Sequence, residues 1–254
     1  MRCPFVAGNW KMNMTLAEAR ALMAGLREQL PKAPPLDLAV CPPYFLLFPI
    51  QKELGSTGIK VGAQNCYFEE KGAYTGEISP VMIKDAGCTY VIIGHSERRH
   101  VIGETGEMLK KKVLAAQKGG LHVIYCIGEK LEEREAGRTE AVLARQINES
   151  LTPDLDTTLL TVAYEPVWAI GTGKNATAQQ AQDTHLYVRN LLKELYNAQQ
   201  AEAIRIQYGG SVKPANAEDL MSRPDVDGAL VGGASLKPDD FVGIIKAAIK
   251  AKNL

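Results

Sequence analysis

Three short apolar runs in this sequence each end in a residue able to meet negative charge or move a proton. FVAGNW, from Phe5, is followed by Lys11, with the amide side chain of Asn9 two residues earlier. YVIIG, from Tyr90, is followed by His95, and LLTVAY, from Leu159, by Glu165. At the end of a strand Lys11 would neutralise a phosphate or a developing oxyanion. After His95, Ser96 and Glu97 suit the first turn of a helix, whose positive end disfavours protonation of a facing imidazole; His95 would then be a neutral hydrogen-bond donor to a carbonyl. Glu165 follows a buried stretch and is restrained by Pro166, so partial desolvation would make it the more basic carboxylate expected of a general base. Each residue taken alone has a plainer reading: a paired surface lysine, a hydrogen-bonded structural histidine, a solvated strand-end carboxylate. Arg98, Arg99, His100, His122 and His185 keep only such readings.

Two glycine pairs lie late in the chain, Gly209-Gly210 before Ser211 and Gly232-Gly233 before Ala234 and Ser235. A glycine pair lets backbone amides approach an anion, and two pairs at the last two strands suggest a phosphate cradle. Between Glu165 and the first pair, Val167 to Lys174 mixes bulky apolar side chains with glycines, a composition that suits a closing lid. Its GTGKN run lacks the earlier glycine and the hydroxyl residue of a P-loop.

These residues need elements to position them. Eight short β-branched runs, beginning near Phe5, Leu38, Ile59, Tyr90, His122, Leu159, Ile204 and Gly228, alternate with stretches of helical periodicity. That alternation predicts parallel strands joined by helical crossovers. Thr15 with Glu18, and Thr177 with Gln180, have capping-box spacing. Leu16, Ala19, Leu22, Met23, Leu26 and Leu30 form one apolar stripe. Pro214 and Pro238 suit first helical turns, and Gly119-Gly120 suits a helix end. Eight such units can close into a barrel or form an open doubly wound sheet, and periodicity does not separate the two. In either, ligands gather at the carboxyl ends of the strands.

The whole chain sets the outer limits. Its 254 residues, 46% hydrophobic and 23% charged, are expected to fold as one globular domain, residues 1–254, with no linker dividing it. Twenty-nine basic residues balance 29 acidic ones, so no overall field attracts nucleic acid or a membrane surface. Five scattered cysteines without a CxxC pair argue against a disulfide framework or zinc cluster. With no apolar run long enough to span a bilayer and no signal-peptide pattern, a cytoplasmic location is expected.

Taken together, NWKMN at 9–13, YVIIGHSERR at 90–99, AYEPVWAIGTGK at 163–174, QYGGSV at 207–212 and VGGASL at 231–236 resemble the signatures of the triosephosphate isomerase family, in family order and across essentially the whole chain. The resemblance implies a closed (β/α)8 TIM barrel that interconverts dihydroxyacetone phosphate and D-glyceraldehyde 3-phosphate through an enediol or enediolate, in glycolysis and gluconeogenesis, without metal or cofactor. It implies Glu165 as the base, His95 as a neutral electrophile, Lys11 stabilising negative charge and Asn9 orienting it. Glu97 is then expected to order Lys11 and the His95 loop, and Ser96 to hold Glu165 while the lid is open. Gly171, Ser211, Gly232 and Gly233 match the family's phosphate-binding positions. Residues 64–77 resemble the interdigitating loop of a homodimer that brings Thr75 to the partner's site. Met14 departs from the family, where a small residue is frequent, and this touches no catalytic role. Two rivals remain: another barrel enzyme acting on a larger sugar phosphate, and a barrel that binds without turnover.

Overall fold

Side chains along the first strand alternate between two different neighbourhoods, and that alternation sets the architecture. Phe5 and Ala7 of β1 (Phe5–Asn9) pack in one apolar cluster with Ile92, Ile124, Cys126 and Leu230, while Val6 belongs to a larger cluster with Val40, Val91 and Val162. The first cluster fills a barrel and the second lies between the barrel and its helices, as the two-residue period of a strand requires. The computed structural model describes residues 2–55, 57–170 and 175–254. Eight parallel strands close in sequence order: β1, β2 (Asp37–Cys41), β3 (Lys60–Ala63), β4 (Tyr90–Ile93), β5 (His122–Ile127), β6 (Leu160–Tyr164), β7 (Arg205–Tyr208) and β8 (Gly228–Val231). β8 returns to pair with β1, Gly8 facing Val231. The open-sheet alternative is thereby removed, since none of the described strands is left at an edge.

The crossovers among the described residues are α1 (Leu16–Gln29), α2 (Leu47–Leu54), α3 (Pro80–Asp85), α4 (Gly106–Lys118), α5 (Leu131–Glu135), α6 (Thr139–Ser150), α7 (Ala178–Leu195), α8 (Ala198–Ala203), α9 (Pro214–Met221) and α10 (Pro238–Ala251). Both capping boxes form. Glu18 accepts from the Thr15 amide at 2.7 Å and Gln180 from the Thr177 amide at 2.9 Å, each satisfying a helix-end donor. Ala19, Leu22, Met23 and Leu26 are the buried face of α1. Pro214 and Pro238 open α9 and α10, and Gly119 caps α4. No helix among the described residues is long and apolar enough to cross a membrane.

His185, read from sequence as an ordinary structural residue, is fully buried on α7 with Nδ1 3.0 Å from the carbonyl oxygen of Asp225. Burial is the main cause that pushes its pKa down to about 4; the Asp225 carbonyl opposes this and the Arg189 guanidinium adds to it. Below the ordinary value of 6.5 an unfolded chain binds a proton at this ring that the folded chain refuses until about pH 4. Stability from this group is therefore complete above pH 6.5 and is lost as the pH falls from there toward 4. Between pH 7 and pH 5 the loss amounts to about 2 kcal/mol. Urea titrations at the two pH values should show His185→Gln losing less stability on acidification than the parent by that amount. An identical acid loss in both proteins would refute the assignment.

Candidate active site

Asn9, Lys11, His95, Glu165 and Ser211 all reach one cavity of about 500 Å³ at the carboxyl end of the barrel, together with Gly232 and Gly233. These residues come from the ends of β1, β4, β6, β7 and β8, so closure of the barrel brings together groups far apart in sequence. Lys11 sits at φ 51, in the left-handed region that a lysine seldom occupies. Its backbone is held there from both sides. The Lys11 amide donates to Asn9 Oδ1 at 3.0 Å, and Gln64 Nε2 donates to the Lys11 carbonyl at 2.8 Å. Met14 also has positive φ, at 79, a conformation that glycine alone adopts without a Cβ penalty.

The side chains of His95 and Glu165 touch. His95 Nε2 lies 3.0 Å from Glu165 Oε1, and the Ser96 amide donates to Glu165 Oε2 at 3.0 Å. Glu165 is buried, as expected for a residue closing an apolar strand. Its position depends on glycines across from it: a Cβ on Gly209 would come within 2.8 Å of Glu165 Cγ, and one on Gly128 would overlap the Glu165 carbonyl. The first glycine pair therefore makes room for Glu165 at Gly209, whatever it also does for an anion; a Cβ on Gly210 would strike the Tyr208 hydroxyl.

Opposing influences act on His95. Burial disfavours the charged ring, but the carboxylates of Glu165 and Glu97 outweigh it and Lys11, and the net pKa shift is upward from 6.5. Sequence alone gave only the downward influence of a helix start, because Glu165 is seventy residues away along the chain. The helix start is present all the same: the amides of Arg98 and Arg99 donate to the His95 carbonyl, and the Glu97 amide points at His95 Nδ1 from 3.2 Å. A backbone N–H can only donate, so Nδ1 carries the lone pair and Nε2 the hydrogen. Nε2 is thus the donor side of the ring, and in this structure it faces Glu165 Oε1. The upward pull comes from the carboxylates of Glu165 and Glu97 beside the ring.

Ser96 and Glu97 act from behind the cavity. Ser96 holds Glu165 by its main chain, and Glu97 Oε1 pairs with Lys11 Nζ at 2.6 Å. Thr75 lies apart from the cavity, exposed on the excursion after β3, and Gly171 lies outside the described residues, as does the second half of the candidate lid, 171–174. Ile170 reaches the cavity from the first half.

One carboxylate escaped the sequence reading. Glu129 is fully buried and accepts from the Tyr164 hydroxyl at 3.1 Å, from Trp168 Nε1 at 2.9 Å and from Arg134 Nη1 at 3.2 Å. The Val167 amide donates to its backbone carbonyl at 3.0 Å, so Glu129 fixes the start of the candidate lid. Its place two residues beyond β5, at a carboxyl strand end, is the signal that would have found it.

The family model for triosephosphate isomerase matches residues 4–248 of this chain. The chain belongs to the triosephosphate isomerase family. It is 50% identical over 251 residues to the triosephosphate isomerase of Carboxydothermus hydrogenoformans, covering 98% of this chain and 100% of that one. It is 49% identical over 248 residues to that of Trichlorobacter lovleyi, covering 97% and 99%, and 50% identical over 248 residues to that of Rhodopirellula baltica, covering 97% and 98%. Membership of the triosephosphate isomerase family carries the isomerase activity that the motifs led us to expect: interconversion of dihydroxyacetone phosphate and D-glyceraldehyde 3-phosphate, a step of glycolysis. The rival reading as an enzyme of larger sugar phosphates falls with that match.

Proposed function

We propose that Glu165 is the base of this isomerase and that Lys11, His95 and Asn9 serve the charge it creates. The phosphate of a triose phosphate would lie against Ser211, Gly232 and Gly233, with Gly171 completing the cradle. Glu165 leaves the Ser96 amide, removes a proton from the carbon beside the carbonyl, and returns it to the neighbouring carbon. His95 Nε2–H donates to the substrate oxygen that becomes negative, and Lys11 supplies the nearest fixed positive charge. Asn9 supports this by holding the Lys11 backbone. The carrying observation is the direct approach of His95 and Glu165 in the cavity that the late glycines also line. Residues 167–174 act as a lid in this reading and protect the enediolate from water, so that phosphate is not eliminated. The reaction needs no metal or cofactor.

We further propose a cytoplasmic homodimer of one-domain protomers, with Thr75 reaching the partner's site. Met12, Phe45, Val81, Met82, Val101 and Ile102 are all exposed, and they follow β1, β2, β3 and β4 in turn. Large apolar side chains left exposed on the segments after the first four strands favour a covering partner. Tyr67 stacks on Phe68 at 4.2 Å and lies 4.6 Å from Tyr74, so the excursion carries a self-packed aromatic knob suited to insertion. Sedimentation and triose phosphate turnover, measured on one micromolar sample in chelator, test both parts. A dimer that turns over is expected. An active monomer would remove the dimer reading, and a folded dimer without turnover would remove the catalytic one.

A further inference from the structure

The main chain of Glu165 is positioned from outside the barrel. Gly128, one residue beyond β5, packs so closely on Glu165 that only a glycine fits, and the Glu165 amide donates to the adjacent Ile127 carbonyl at 2.7 Å. Both peptide groups of Gly128 are taken by a single side chain, Gln146 of α6, which is 4% exposed. The Gly128 amide donates to Gln146 Oε1 at 2.7 Å, and Gln146 Nε2 donates to the Gly128 carbonyl at 3.0 Å. The amide orientation is unambiguous, because a backbone N–H must face the oxygen and a backbone carbonyl the nitrogen.

The grip continues to the second catalytic strand. The Tyr125 hydroxyl donates to the Gln146 carbonyl at 2.6 Å, and Arg99 Nη2 donates to the Tyr125 oxygen at 2.9 Å. Arg99 Nε in turn donates to the carbonyl of Gly94, the residue before His95, at 2.8 Å. Gly94 has φ 77, and a Cβ there would meet Arg99 Nη2 at 2.9 Å, so the turn and the guanidinium are fitted to each other. One chain of hydrogen bonds thus runs from the backbone beside His95, through Arg99, Tyr125 and Gln146, to the backbone beneath Glu165. An ordinary buried amide would need only some partner; this one spends both its bonds on the peptide in contact with Glu165.

We propose that Gln146 is a positioning residue for the proton transfer: it fixes the Gly128 peptide and through it the distance from Glu165 to the substrate carbon. This rests on the reading of Glu165 as the base. Gln146 touches no substrate, and the phosphate cradle on β7 and β8 lies beyond its reach, so its loss acts on kcat and leaves substrate affinity in place. The test uses the full chain with Gln146→Met, which preserves volume and removes both bonds, and Gln146→Glu, which retains the acceptor for the Gly128 amide. For folded Gln146→Met, kcat should fall by about 10–100-fold, the scale of a misplacement near 1 Å, with KM and inhibition by inorganic phosphate little changed. Gln146→Glu should fall between it and the parent. A folded Gln146→Met with parental kcat, a loss carried by KM alone, or failure of both variants to fold would overturn the proposal. Glu165→Gln is measured alongside: if it keeps full activity the base assignment has failed, whereas its collapse beside an unimpaired Gln146→Met means that only the Gln146 link has failed.

Discussion

Glu165→Gln is expected to lower kcat by about 10²–10⁴-fold, the range a positioned general base supplies. The substitution keeps the shape of the side chain and can still accept from the Ser96 amide, so the protein should fold normally and bind inorganic phosphate as the parent does. Glu165→Asp separates position from chemistry. It retains the carboxylate but draws it back by about 1 Å, and that displacement alone is expected to cost about 10²-fold. Shortening cannot be compensated from behind, since Gly128 and Gly209 already press against the Glu165 backbone and Cγ. Steady-state rates in both directions, with thermal melting to establish folding, are the check; an Asp variant as active as the parent would contradict the geometry.

The second large effect is expected at His95. In His95→Gln the amide can still donate to a substrate oxygen, but the ring's contacts with Glu165 and with the Glu97 amide are lost together. Outright removal of a preorganised donor at a developing oxyanion costs about 10²–10³-fold, and loss of its preorganisation here should lower kcat by up to that factor. The pH dependence has a definite sign. In the resting enzyme the carboxylates of Glu165 and Glu97 draw the His95 pKa upward, so acidification charges this ring earlier than an ordinary histidine. A charged ring would then need to give up the favourable Nδ1 contact, because the Glu97 amide would face an N–H instead of a lone pair. The acid limb of kcat/KM for the parent should therefore contain a contribution from His95 that His95→Gln lacks. An unchanged acid limb in the variant would assign that limb to other groups.

What could be read from the sequence and what could not divides along physical lines. The strand-end residues were legible because a short apolar run that stops at Lys11, His95 or Glu165 marks both an element and its carboxyl end, where ligands gather. Capping boxes at Thr15 and Thr177 were legible because their chemistry is local. Barrel closure was not, since β8 meeting β1 is a long-range event that eight alternating units leave open. Recognition of the joined motifs supplied it, and the strand register bears it out. The direction of the His95 shift was only half legible: Ser96 and Glu97 announced the helix start, but the opposing carboxylate of Glu165 arrives only through folding. Gln146, an amide on a helix face, gave no signal, and Glu129 gave only its place just beyond β5. Their roles come from what the barrel places beside them, Trp168 and Tyr164 in one case and the Gly128 peptide in the other. The glycine pair 209–210 shows the converse, a legible motif whose first reason in three dimensions is room for Glu165.

Glu165 is expected to carry a proton between adjacent carbons of a triose phosphate. Isomerisation in deuterated water, followed by NMR of the product, tests it most directly. Any deuterium that enters the product during turnover is expected only at the newly formed C–H bond, by exchange at the Glu165 carboxyl before the proton is returned, and exchange and isomerisation are expected to collapse together in Glu165→Gln. Isomerisation at the parental rate in Glu165→Gln, or exchange that persists undiminished in that variant, would contradict it.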